Sequence, residues 1–173
     1  MKAEAWFGAL KPSRYRAVDF SETAAREALA RLAGNADTPN SGLLIGVDAK
    51  KDPARLDAAY DDALGVTAAF NLNTLRHVNQ LLGTDFDVRD WQHRGFYNAA
   101  LGRIEMHVEA RRDVSVRIRG AARRFAQGER IHTENSYKYS SDQFRSLLIE
   151  AGFTEPKLWQ DECGDFNVFY ARA

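Results

Sequence analysis

Seven consecutive residues, Thr133-Glu134-Asn135-Ser136-Tyr137-Lys138-Tyr139, place a carboxylate, an amide, two hydroxyls and two phenols between GERIH and SSDQFRSLLIEAGF. A strand should give way to a helix there, and a simple turn needs only one or two polar groups. The run is either a solvated edge or a row of side chains facing a polar ligand. Successive residues of a strand point to opposite faces, so Glu134 and Ser136 share one side and Asn135 and Tyr137 the other.

Other residues could also do chemistry. Asp19 and Asp48 close the strand-like runs RYRAVDF and GLLIGVD, where an acid can accept hydrogen bonds from ribose hydroxyls, hold a substrate, or serve as a helix cap or loop residue. Tyr60 and Thr67 are seven apart, two turns along one face of a continuous helix, unless Gly65 breaks it. His77, His93, His107 and His132 lack the spacing of an HExxH motif, so no metal site is expected. Cys163 stands in DECGD, whose acidic neighbours oppose a thiolate, and it reads as structural or incidental. No GxSxG elbow, GxxxxGK[ST] loop or GxGxxG fingerprint is present.

The elements that must position these residues follow from pattern. Residues 3–10 read as a short helix stopped by Pro12, and Ser21 as the cap of an alanine-rich helix after the strand that ends at Asp19. GNADTPNSG is a loop, and the unbroken apolar run GLLIGVD reads as a strand covered on both faces of a parallel α/β sheet. Pro53 suits the first turn of a helix, and VTAAFNLNTLRHVNQLLG keeps helical spacing up to Gly83. RIEMHVEAR and VSVRI alternate with period two and read as an antiparallel pair turning near Arg112 and Asp113. Ser140 and Gln143 form a capping box for the next helix, and PKLWQDE and FNVFYARA close the chain as a hairpin about Cys163-Gly164-Asp165.

The chain has 173 residues, ordinary for one folding unit, with 24 Lys plus Arg against 24 Asp plus Glu. That balance gives no pull toward nucleic acid or an anionic membrane, so a small, roughly neutral partner is expected. One cysteine excludes an internal disulfide and suits a cytoplasmic protein. MKAEAWFGALKPSRY, with Glu4 and Pro12, fits neither a signal peptide nor a membrane span.

Taken in order, GLLIGVDAKKDPARLDAAYDDALGVTAAFNLNTLRHVNQLLGTDFD, RIEMHVEAR and GERIHTENSYKYSSDQFRSLLIEAGF resemble the carboxyl-terminal half of the S-adenosylmethionine-dependent histidine Nα-methyltransferases, whose ergothioneine-pathway members trimethylate the amine of histidine. The resemblance implies an α/β fold: a partial Rossmann-like methyltransferase sheet from residues 1–52 and 131–173, with a mixed α/β substrate-binding insertion from 53–130. It implies S-adenosylmethionine as co-substrate and methyl transfer to the α-amine of histidine or a similar amino acid. Tyr60 would help hold the substrate's α-carboxylate, Thr67 and Met106 would line the pocket, and Glu134 and Ser136 would bind the imidazole. Asp19 would bind the cofactor ribose. The family's glycine-rich cofactor loop has no counterpart here, and AGNADTPNS stands where the family has a longer passage with further strands, an acidic cofactor contact and an asparagine for the substrate. Lost strands expose edges that must be covered, which opens the chain to pairing with a second copy. A non-catalytic amino-acid-binding or assembly module is the rival expectation.

Overall fold

The computed structural model describes residues 42–118 and 120–172. The expected helix at 3–10, the strand ending at Asp19 and the helix after Ser21 lie outside them. The architecture is mixed α/β with antiparallel sheets.

The first sheet has the order β1 (Gly42–Asp48), β8 (Phe166–Arg172), β7 (Thr154–Gln160). β8 runs antiparallel to both neighbours, so β1 and β7 point the same way without pairing. The sequence reading of β1 as a parallel strand buried on both faces is corrected here. Its pairing is antiparallel, and its burial alternates, with Leu43, Ile45 and Val47 turned to the core and Leu44 39% exposed. The outward positions are eased by two glycines, because a Cβ on Gly42 would lie 2.7 Å from the Tyr170 ring and one on Gly46 2.7 Å from the Phe166 ring. Aromatic rings of β8 thus cover the bare backbone of β1. On the inner face lies α3 (Ser141–Glu150), which begins with the expected capping box of Ser140 and Gln143. It buries Phe144 and Leu148 against Val47, Phe153, Phe169 and Ala171.

The second sheet has the order β2 (Trp91–Asn98), β3 (Arg103–Ala110), β6 (Arg130–Tyr137), all antiparallel. VSVRI is not the partner of β3, as its alternation suggests. It is β4 (Val114–Ile118), which pairs with β5 (Ala121–Phe125) as a separate hairpin. A period of two tells which side chains share a face and says nothing about the neighbouring strand. β3 is flanked on both edges, which explains why Ile104, Met106 and Val108 are all but fully buried.

Helix α1 (Pro53–Tyr60) starts at the Asp52 cap with proline in its first turn, and α2 (Val66–Leu82) ends at Gly83, whose φ is 64°. Both pack on one face of the second sheet. Leu56 of α1 meets Ile104 and Met106. Leu75 of α2 joins a larger cluster with Trp91, Val108, Val116 and Phe125.

The two sheets meet where β6 ends. Tyr139 forms a parallel bridge with Ala49, and its amide donates to the Asp48 carbonyl at 3.3 Å. The end of β6 is thereby seated beside the end of β1.

Candidate functional site

The site is built from the C-terminal end of α1, one face of β3 and β6, and the end of β1. Gly65, with φ 70°, breaks the helix between Tyr60 and Thr67, so these residues stand on different helices. Asp62 caps the second helix. Its oxygens accept from the amides of Val66 at 3.0 Å and Thr67 at 2.8 Å, and these bonds hold its carboxyl down at about 2. Thr67 is therefore engaged with Asp62.

Tyr60 is fixed through its backbone. The amide nitrogen of Asn71, from α2, donates to His93 Nδ1 at 2.9 Å and to the His107 carbonyl at 2.9 Å. With Nδ1 accepting, His93 Nε2 carries the proton and donates to the Tyr60 carbonyl at 2.8 Å. The approach of α1 to β2 requires Gly95, where a Cβ would sit 2.8 Å from the Tyr60 carbonyl oxygen.

The Tyr60 hydroxyl lies 2.8 Å from Ser136 Oγ. Lys138 Nζ donates to both, at 2.8 Å each, and pairs with Asp48 Oδ2 at 2.8 Å. The Lys138 side chain has no exposed surface, and its ammonium also lies 4.5 Å from the centre of the Tyr60 ring. An ammonium has three protons, and here three oxygens receive them. Asp48 receives a second lysine, Lys51, at 2.7 Å. Burial pushes the Asp48 carboxyl up, but the two lysines together outweigh burial and leave it below its ordinary value.

Glu134 pairs across the ladder with Met106, and Ser136 with Ile104. Glu134 and Ser136 thus share the face that α1 covers, as strand parity predicts. Met106 is buried beneath, in the cluster with Leu56 and Tyr60, while Glu134 is exposed. Between His132 and Glu134 the ladder carries a bulge. Thr133 is the extra residue, and its hydroxyl bonds the Met106 carbonyl at 2.9 Å. A cleft of about 580 Å³ lies beside this cluster, lined by Lys50, Gly102, Tyr137, Lys138, Gln143 and Leu147 among others.

Tyr60, Met106, Glu134 and Ser136 are therefore gathered on one face, and Thr67 is turned to its own helix cap. Asp19 lies outside the described residues. Asp48, flagged at a strand end, meets two lysines. Lys138 was missed as a site residue, although it follows Ser136 by two, one residue past the end of β6. A lysine in phase with an inward-facing serine was the signal.

The model of the family described as histidine-specific methyltransferase, S-adenosylmethionine-dependent, matches residues 17–173. A histidine Nα-methyltransferase of Mycolicibacterium smegmatis is 43% identical over 140 residues, covering 79% of this chain and 44% of the relative. A protein of the same name from Mycobacterium tuberculosis is 42% identical, covering 77% and 42%. Ergothioneine biosynthesis protein 1 of Neurospora crassa is 37% identical over 70% of this chain and 14% of its own length. The chain spans less than half the length of these curated relatives. With a family match that runs through every described strand and helix, the chain belongs to the histidine-specific, S-adenosylmethionine-dependent methyltransferase family.

Proposed function

We propose that the chain carries the substrate-reading part of a histidine Nα-methyltransferase, in which S-adenosylmethionine supplies the methyl group and the α-amine of histidine receives it. The observation that carries this reading is the convergence of Tyr60, Ser136 and Lys138 within 2.8 Å of one another, on the sheet face that also bears Glu134 and Met106. The printed names of the bacterial relatives support the same substrate.

In the transfer, the amine lone pair attacks the methyl carbon in line with the departing thioether, and the amine gives up a proton to solvent. Such a displacement needs position more than a covalent catalyst, and it needs the amine in its neutral form. The chain's residues supply position. Glu134 accepts from an imidazole N–H, Ser136 bonds the ring, and Tyr60, whose hydroxyl oxygen accepts from Lys138, donates its own proton to the α-carboxylate. Tyr60 and Ser136 now bond each other, so substrate entry exchanges that hydroxyl–hydroxyl bond for two bonds to the ligand. A ligand that cannot make both leaves a half-buried hydroxyl unpaired, which is the basis for rejecting other amino acids.

Within this reading the sheet of β1, β8 and β7 belongs to a Rossmann-like methyltransferase core, supported by a reversed strand set between two that run alike. Residues 53–130 form the substrate-binding insertion, to which β6 adds its strand. Asp19 binds the ribose of the cofactor.

Labelled S-adenosylmethionine with histidine tests the activity, and calorimetric titration with histidine tests the site. Methyl-labelled histidine is expected, and its absence overturns the activity. Glu134→Ala is expected to weaken histidine binding by about tenfold, the worth of one charge-assisted hydrogen bond. An unchanged affinity overturns the assignment.

A further inference from the structure

The opposite face of the second sheet carries a second constellation that the methyl transfer does not use. Glu105, His107 and His132 each offer a donor atom, and the three atoms lie within 4.8 Å of one another. His107 and His132 are stacked with ring centres 4.5 Å apart and planes at 24°, which places the two imidazoles side by side on this face. The far side of His107 is closed by the parallel ring of Phe96, 5.5 Å away.

The state of each donor can be read from its surroundings. Among the described residues, the hydrogen bonds that Glu105 accepts, from Arg103 and Asn98, go to Oε1, which leaves Oε2 facing His107 Nε2 at 3.8 Å. That separation is too long for a hydrogen bond but suits two ligands that each reach about 2.1 Å to one ion. His132 donates Nε2–H to the Glu134 carbonyl at 3.1 Å, so its lone pair is on Nδ1. A backbone carbonyl orienting the ring through its other nitrogen is the usual support of a metal-ligating histidine. His107 is nine-tenths buried, and neither of its nitrogens has a hydrogen-bond partner among the described residues, Nδ1 being fully enclosed. Nε2 is thus the nitrogen left to a ligand, on the side where Glu105 Oε2 faces it.

We propose that Glu105, His107 and His132 form a binding site for a divalent transition ion of the zinc class. Two imidazoles and one carboxylate match that preference and leave coordination positions open to solvent. The neighbouring cations are engaged elsewhere: Arg103 bonds Glu105 through Oε1, away from Oε2, and Arg130 and Arg94 both pair with Glu109. The site spans β3 and β6 at the bulge, so the ion ties together the two strands that present Met106 and Glu134 on the other face.

Titration of the metal-free protein with zinc chloride, followed by calorimetry, tests the proposal. One equivalent is expected to bind at micromolar concentration, and His132→Ala, at an exposed position, is expected to weaken it at least tenfold. Cys163→Ser is expected to leave it unchanged, which distinguishes the site from the exposed group of Asp161, Cys163 and Asp165. Cobalt substituted for zinc gives a second readout that needs no variant. Visible ligand-field bands without a thiolate charge-transfer band support nitrogen and oxygen ligation at this face. Binding that survives His132→Ala, is lost in Cys163→Ser, or shows the thiolate band overturns the proposal, as does the absence of binding.

Discussion

Lys138 gives up all contact with water for three oxygens, and its removal is costly because Asp48 loses one of its two lysines and two hydroxyls lose a donor together. Lys138→Ala is expected to destabilise the fold by about 2–3 kcal/mol, the worth of a broken, largely buried charge network, read from the shift in a urea unfolding curve. Lys138→Met keeps the volume but leaves the charge of Asp48 facing an apolar chain, and is expected to recover less than half of that loss. Tyr60→Phe removes one hydroxyl and is expected to weaken histidine binding by about tenfold with little change in stability, since a single hydrogen bond is worth about 1 kcal/mol. Titration calorimetry beside a melting curve separates the two effects. At this scale the sequence is legible where period two applies. Glu134 and Ser136 were assigned to one face from parity alone, and the register agrees. The partner of Ser136 was not legible, because Tyr60 lies 76 residues away and only the packing of α1 brings it near.

At the scale of elements, the local signals were sound, and of the pairings the terminal hairpin of β7 and β8 was legible while the partners of β1 and β3 were not. Pro53, Gly83 and the Ser140–Gln143 capping box mark helix ends through bonds within a few residues, so they can be read directly. The partner of β3 is set by which strands can bury Ile104 and Met106 jointly, a property of three segments spread over nearly fifty positions. The approach of α1 to β2 illustrates the same dependence. Gly95 looks like a weak spot in a strand, yet a methyl group there meets the Tyr60 carbonyl and His93. Gly95→Ala is expected to push α1 outward, costing about 1–3 kcal/mol as overpacking does. It should also raise the dissociation constant for histidine, because Tyr60 moves with the helix. Equal affinity together with lowered stability would separate the helix position from the site.

For the whole molecule, Glu109 and Asp48 are among the carboxylates that bind fewer protons in the folded chain than in the unfolded one. Glu109 is held at about 2, chiefly by Arg130 with Gln92 and Arg94 against the cost of burial. Asp48 is depressed by Lys138 and Lys51, which outweigh its burial. A depressed carboxyl contributes stability that is complete above its unfolded value and is lost as pH falls through the folded one. Unfolding free energy measured by denaturant is therefore expected to be level above about pH 5 and to fall steadily toward pH 2. Glu109→Gln should flatten part of that slope. None of the described helices is long and apolar enough to cross a membrane. The bulge at Thr133 has a consequence for the molecule as a whole. In an unbroken ladder His132 and Glu134 would project side by side, and a change in one would press upon the other. One supernumerary residue sends them to opposite surfaces, so two positions only two residues apart in the chain serve two different surfaces of the sheet.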